Sequence, residues 1–175
     1  HYDFIRFCGT TGSDPRQGYS WIPANGDLRE NDRCVFVGAA GPLGVMHTLR
    51  AVTSGVPGIS VVGTDLSDER LANLAAVVGP TAEKNGVPLD IVNTSSTPLE
   101  FGYTYATCLV PVPALVSQAV DLLAQGGLLH AFAGIPAGPF GDFDLQGIIE
   151  PQIFMLGTPG SAVSDMRPVL RTLPA

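Results

Sequence analysis

The 175-residue chain is poor in charge, and poorest in positive charge. Charged residues make up 14% of it, against about 25% in an average globular domain. Only 9 residues are basic, Lys84 being the lone lysine, and the net charge is −7. No basic cluster exists, which excludes the electrostatic footprint of a nucleic-acid binder. No apolar run approaches the roughly 18 residues of a membrane-crossing helix, so no membrane partner is expected. No lysine follows a glycine pair as in a G-x-x-x-x-G-K phosphate loop, and no serine stands in a G-x-S-x-G elbow. The cysteines, Cys8, Cys34 and Cys108, are odd in number and form no C-x-x-C pair with metal spacing. Buried thiols in a reducing, cytoplasmic compartment are expected instead. The low charge itself has two explanations: a surface that docks against something else, or a parallel sheet buried on both faces.

What the chain does contain is centred on Cys34-Val-Phe-Val-Gly-Ala-Ala-Gly-Pro-Leu-Gly44. Cys34 to Val37 reads as a short buried strand, a glycine turn follows, and a helix-period segment runs from Leu43 to about Val52, with Leu43, Met46, Leu49 and Arg50 near one face and Val45 and Val52 beside it, as expected of a crossover helix packed on the sheet. Strand, glycine turn and helix form the context in which G-x-G-x-x-G means dinucleotide binding. The turn brings backbone N–H groups close to a pyrophosphate, and the helix N-terminus favours negative charge. In that frame Gly41 and Gly44 are the second and third glycines, Ala39 stands where the first belongs, and Gly38 comes one residue early.

Further strands are expected at 59–65, 89–93, 103–110, 128–133 and 152–156, with one more at 2–8 ahead of the core. The helix after Asp65 is capped by Ser67, repeats Leu71, Leu74, Ala75 and Val78, and is expected to break at Gly79-Pro80. A second helix starts at Pro113 and stops at Gly126. A last one covers 161–170. Residues 1–32 read as an extended lead-in pinned by Trp21 and Ile22, and residues 33–175 as the dinucleotide-binding domain. Strands alternating with helices predict an α/β class, a doubly wound, mostly parallel six-stranded sheet with helices on both faces. Because the chain opens at His1 with a strand already under way, it is expected to be an excerpt of a longer polypeptide.

Two further signals join the turn. Asp65 ends the second core strand, 21 residues after Gly44, where a carboxylate accepts hydrogen bonds from both adenosine ribose hydroxyls and repels a 2′-phosphate. The strand ends at 110–113, 133–136 and 156–160 all carry Gly or Pro, beyond the C-terminal edge where open parallel sheets bind ligands.

Gly38-Ala-Ala-Gly-Pro-Leu-Gly44, Asp65-Leu-Ser-Asp-Glu-Arg-Leu71, Phe132-Ala-Gly-Ile-Pro136 and Gly157-Thr-Pro-Gly160 together resemble the coenzyme domain of the medium-chain dehydrogenases, a Rossmann fold. That superfamily includes zinc-dependent alcohol, sorbitol and threonine dehydrogenases. Leu109-Val-Pro-Val-Pro-Ala-Leu115 and the Gly-Pro-Leu-Gly-Val-Met-His run look most like its sugar-alcohol and sugar-phosphate branch. The resemblance covers about residues 33–171. It implies an NAD-dependent oxidoreductase that moves hydride between nicotinamide and a hydroxyl or carbonyl substrate.

By position, the resemblance assigns Gly41, Pro42, Leu43 and Gly44 to the pyrophosphate turn, with Gly38, Ala39 and Ala40 leading into it. Asp65 is assigned to the adenosine ribose and Leu66 to the adenine. Arg70, counted with them because a cation there bears on NAD against NADP, is expected to face solvent from its helix. Val110 and Pro111 fall near a ribose. Ala133, Gly134 and Ile135, with Leu156, Gly157 and Thr158, are assigned to the nicotinamide. The zinc ligands of the resembled enzymes lie in a separate catalytic domain, and nothing here matches them. The chain is therefore expected to bind NAD without turnover, with the missing catalytic domain, a small-molecule substrate and a second copy of the chain as partners. In the resembled family the last strand often pairs across a dimer axis.

Rival functions leave fewer traces. A short-chain dehydrogenase needs Tyr-x-x-x-Lys, and Pro80 stands four residues before Lys84. An S-adenosylmethionine-dependent methyltransferase also places an acid after its second strand, but usually another before the glycine turn, where this chain has Phe36 and Val37; it is kept as one alternative. A non-catalytic NAD-binding sensor or assembly module remains as an alternative. His47, His130, Asp142 and Asp144 are read as packing or loop residues, not catalytic ones.

Overall fold

The computed structural model describes residues 6–7, 11–14, 16, 27–138 and 140–157. Among them, seven strands form one sheet: β1 (Arg6–Phe7), β2 (Arg33–Val37), β3 (Ser60–Asp65), β4 (Leu89–Asn93), β5 (Tyr103–Cys108), β6 (Leu123–Ala131) and β7 (Phe154–Gly157). Their order is β1-β7-β6-β5-β2-β3-β4. The six strands β2 to β7 run parallel, and β1 lies antiparallel on the outer edge of β7, with Arg6 opposite Leu156 and Phe7 opposite Met155. The edge expected to seek a second chain is thus covered at those two positions by this one.

β2 sits at the centre because its residues are apolar on both faces. Cys34 and Phe36 point to one side and Val35 to the other, and all three are buried. Helices α1 (Pro42–Val52) and α2 (Asp68–Asn85) cover the Cys34 side through Ala51, Val52, Leu71, Leu74 and Val78. Helices α3 (Pro113–Asp121) and α4 (Leu145–Ile149) cover the other through Val116, Ala119, Val120 and Ile148. The chain winds outward from β2 through β3 and β4 and, in the opposite direction, through β5, β6 and β7. The switch between the two windings lies between β2 and β5, and a crevice opens there at the C-terminal strand ends.

Several expectations are corrected. α2 does not break at Gly79-Pro80. It runs on to Asn85, because Leu71, Leu74, Val78 and Ala82 make one buried stripe on both sides of Pro80 and Asn85 Nδ2 donates to Val52 O at 2.9 Å. That packing outweighs the one hydrogen bond a mid-helix proline removes. Gly126 does not stop α3, which ends at Asp121; the Leu122 carbonyl instead accepts from Gly102 N and Tyr103 N at 3.0 and 3.1 Å. Gly126, at φ +70°, turns an irregularity inside β6, where the pairing steps from Tyr103↔Leu123 to Tyr105↔Leu128. The fourth core strand ends at Cys108 rather than Val110, the fifth covers 123–131, and the sixth covers 154–157. α1 buries Gly44, Thr48, Ala51 and Val52, so the Leu43 and Met46 side of it is the exposed one. Trp21, Ile22, Cys8, Thr158 and the helix expected at 161–170 lie outside the described residues.

The lead-in is fastened by a charged staple. The Asp32 carboxylate, 3% exposed, accepts Arg29 N at 2.6 Å, Arg29 Nη2 at 3.2 Å and Thr104 Oγ1 at 2.7 Å. The Arg29 guanidinium reaches on to Gly126 O and Thr104 O, at 3.0 and 2.7 Å, and so ties β2, β5 and β6 together.

Candidate functional site

The turn after β2 is held by the neighbouring strand. Gly38 N and Ala39 N both donate to Thr64 O, at 3.1 and 2.8 Å. Gly38 has φ +82°, a conformation open to glycine, and a side chain there would collide with Val110 Cγ2. Gly38 therefore does the conformational work expected of the first glycine, and the turn is one residue longer than the motif frame assumes. Ala39 is fully buried, its backbone against Gly44.

α1 starts at Pro42 after Gly41, with no side chain capping it. Its first intrahelical bond runs from Val45 N to Gly41 O at 2.9 Å, so the Leu43 and Gly44 N–H groups are unused by the helix. The positive end of α1 opens beside the end of β3.

There Asp65, 8% exposed, directs Oδ1 toward three donors: Leu66 N at 2.8 Å, Ser67 N at 3.1 Å and Arg70 Nη2 at 2.5 Å. Ser67 Oγ accepts Arg70 N and caps α2, while Asp68 and Glu69 occupy its first turn. Arg70 is thus not simply turned to solvent. Its side chain is 57% exposed, but its guanidinium closes on the carboxylate.

These parts line one groove of about 280 Å³, walled by Gly38, Gly41, Asp65, Leu66, Arg70, Val110 and Pro111. Val37, Thr64, Thr94, Leu109 and Leu115 complete it, none of them assigned to the site from the sequence. Ala133, Gly134 and Ile135 follow β6, whose Ala131 pairs with Gly157, so they neighbour the end of β7 outside this groove. Phe132 N and Ala133 N donate to Cys108 O at 3.1 and 3.2 Å, which holds that turn to β5. The Leu156 side chain is buried in the core and has only backbone to offer a ligand.

Beside Ala133 the sequence hid an aromatic cluster. His47 on α1 lies 4.5 Å from Phe132, His130 lies 5.5 Å from Phe132, and the two imidazoles are 6.4 Å apart, all edge to face. Burial, then the neighbouring His47 and Arg50, pushes His130 down to about 4; burial and Arg50 lower His47.

A wider depression of about 560 Å³ opens at the opposite end of the sheet, between 52–60 and 85–88. The C-termini of α1 and α2 border it, and their carbonyl ends repel phosphate. The smaller groove is therefore the nucleotide candidate. Its parts suit a dinucleotide: unused N–H groups at a helix start, a glycine at the closest backbone approach, and an anchored carboxylate. Zinc is a different matter. Among the described residues no three His, Cys, Asp or Glu side chains stand together as metal ligands do.

Comparison with solved structures gives the same architecture. Benzyl alcohol dehydrogenase from Acinetobacter calcoaceticus superposes with a TM-score of 0.62 at 20% identity, over 83% of this chain and 40% of that one. The chain has a Rossmann fold. A putative zinc-binding dehydrogenase from Sinorhizobium meliloti, bound to NADP, gives 0.62 at 14% identity over 80% of this chain and 41% of its own. Acetophenone reductase from Geotrichum candidum, in complex with NAD, gives 0.59 at 19% over 83% and 39%. Among curated sequences, the uncharacterized protein YggP of Escherichia coli K12 is 29% identical over 152 residues. Mannitol-1-phosphate 5-dehydrogenase of Aliivibrio fischeri is 26% identical over 151. These matches take in 80% and 79% of this chain but only 36% of each relative. No family model matches.

Proposed function

We propose that this chain is the NAD-binding part of an oxidoreductase acting on an alcohol or polyol, including sugar phosphates. The observation that carries it is the convergence of the uncapped α1 N-terminus and the buried Asp65 carboxylate on one groove. Leu43 N and Gly44 N hold the pyrophosphate, and Asp65 takes the adenosine ribose hydroxyls with the oxygen that Arg70 leaves free. Leu66, 67% exposed, covers the adenine, and Val110 and Pro111 back the riboses. Ala133 to Ile135 and Gly157 flank the nicotinamide, which when bound supplies the hydride acceptor.

The groups that activate substrate, zinc included, belong to a catalytic domain outside these residues. Two observations support such a neighbour. Leu43 and Met46, 47% and 64% exposed, stand beside the phosphate turn, where an apolar pair has no use in water. The second is the 36% share that the chain takes of its relatives' length. The carboxylate at Asp65 favours NAD over NADP, since a 2′-phosphate would meet like charge. Calorimetry with NAD, beside an alcohol-oxidation assay on the same sample, tests both halves. Binding without turnover is expected. Turnover by this chain alone would sink the division of labour, and absence of binding would sink the nucleotide site.

A further inference from the structure

We infer that Asn85-Gly86 is a site of spontaneous deamidation, held shut by the helix cap that contains it, and that its conversion unfastens α2 from α1. The pair lies at the opposite end of the sheet from the nucleotide groove, so the inference goes beyond that site and does not rest on it.

The chemistry starts from the sequence. In an Asn-Gly pair no Cβ on the second residue shields its amide nitrogen, which attacks the asparagine Cγ. The N–Cγ bond forms, the Cγ–Nδ2 bond breaks, and a cyclic imide results. The attacking nitrogen gives its proton to solvent, and Nδ2 takes one up and leaves as ammonia. One water then opens the imide at either carbonyl. The product is aspartate, or isoaspartate, in which the main chain continues through Cγ. Nothing is oxidised or reduced.

The fold itself demands the reactive residue. α2 ends on Gly86 at φ +67°, a left-handed cap that favours glycine. The residue that caps the helix is therefore also the one that leaves its nitrogen open to react. Asn85 and Gly86 are exposed and line the depression of about 560 Å³, so water reaches the reacting carbon.

Three hydrogen bonds hold the site shut. Gly86 N donates to Glu83 O at 3.1 Å, Val87 N donates to Ala82 O at 3.0 Å, and Asn85 Nδ2 donates to Val52 O at 2.9 Å. The first occupies the nucleophile and the third engages the leaving group. Attack waits for the last turn of α2 to open. The products then oppose closing. Val52 ends α1, so its carbonyl stands at the negative end of that helix. A carboxylate at position 85 has no proton to donate to it and brings negative charge to the carbonyl ends of both helices. Isoaspartate also lengthens the main chain ahead of Gly86, which shifts the Gly86 and Val87 N–H groups off their acceptors. Val87 packs against the core, and Pro88 O accepts Val61 N at 2.9 Å, so the disturbance reaches β3.

Peptide mapping by mass spectrometry on the full chain, incubated at mildly alkaline pH folded and in denaturant, tests this. Asn25-Gly26, the other Asn-Gly pair of the sequence, supplies the unfolded reference rate. In denaturant Asn85 is expected to convert as fast as Asn25. In the folded chain it is expected to convert measurably but at least about tenfold more slowly. Asn85→Gln, whose longer side chain disfavours the ring, is expected to stay unmodified at that position. Asn85→Asp, which reproduces one product, is expected to lower the folded-to-unfolded ratio about 3- to 10-fold in denaturant unfolding. No conversion of Asn85 in the folded chain, a folded rate equal to the unfolded one, or an Asn85→Asp variant as stable as wild type would overturn the inference.

Discussion

Ala39 and Gly63 divide one space between them. A side chain built on Gly63 would stand 3.2 Å from Ala39 Cβ and 2.9 Å from Leu74 Cδ2. Ala39 is itself pressed against Gly44 of α1, so its methyl group fits because both neighbours are glycine. The alanine at the motif's first position is thus accommodated by a glycine in the next strand. Gly63→Ala is expected to destabilise the fold by about 1–3 kcal/mol and to weaken NAD beyond that loss, since Thr64 O holds the turn. Denaturant unfolding and NAD titration on the same variant check it. Unchanged stability with unchanged affinity would mean that Leu74 and Ala39 yield freely.

In the proposed site, Asp65 and Arg70 act on the nucleotide preference in opposite directions. Charge-assisted hydrogen bonds to ribose hydroxyls contribute roughly 1.5–3 kcal/mol, so Asp65→Ala is expected to weaken NAD by about 10- to 100-fold. Asp65→Ser leaves Arg70 without its carboxylate and is expected to bring NADP affinity close to that of NAD. Arg70→Ala is expected to leave NAD within about threefold and to weaken NADP further. Paired titrations of NAD and NADP on the three variants read this directly. An Asp65→Ser variant with undiminished preference for NAD would show that selectivity lies elsewhere.

The histidine cluster makes stability depend on pH. His130 titrates at about 4 in the fold and near 6.5 when unfolded, chiefly through burial. The unfolded chain therefore binds its proton first as pH falls. The stabilisation is fully present above about 6.5 and is lost on the way down to about 4, on the order of 3 kcal/mol in all, with His47 adding in the same direction. His130→Phe is expected to flatten that slope. Unfolding midpoints between those pH values, for wild type and variant, measure it. Parallel pH profiles would mean that other groups govern acid unfolding.

The staple at Asp32 should be the most sensitive polar position in the lead-in. Asp32→Ala leaves the Arg29 guanidinium and Thr104 Oγ1 without their shared acceptor. Removing one partner of a fully buried pair costs about 3–5 kcal/mol. Arg29 is 35% exposed, so about 2–3 kcal/mol is expected here. Asp32→Asn should recover part of it through the Thr104 bond. Thermal unfolding of the two variants tests the order, and equal midpoints for wild type and Asp32→Ala would refute it.

Local patterns made the frame of the fold legible. Cys34 to Val37, the glycine turn and Asp65 at the end of its strand could be read because each is a short run with its own chemistry. The alternation of strands and helices then led to a parallel sheet. What could not be read depends on residues distant in sequence. The turn's true frame is fixed by Thr64 O, so Gly38 looked displaced by one residue. Gly63 did leave a signal, a glycine inside the run Val61-Val62-Gly63-Thr64, which marks close backbone approach. The helix through Pro80 is decided by packing on both of its sides, and the exposed Leu43 and Met46 by how α1 lies on the sheet. The contact between His47 and Phe132 joins residues far apart in the chain and has no local signature.

The most direct measurement is isothermal titration of NAD into this 175-residue chain at pH 7. We predict one saturable site with a dissociation constant between about 10 μM and 1 mM, weakened at least about tenfold by Asp65→Ala. No saturable heat at NAD concentrations up to about 10 mM, or equal binding by the Asp65→Ala variant, would contradict the assignment of this groove to the nucleotide.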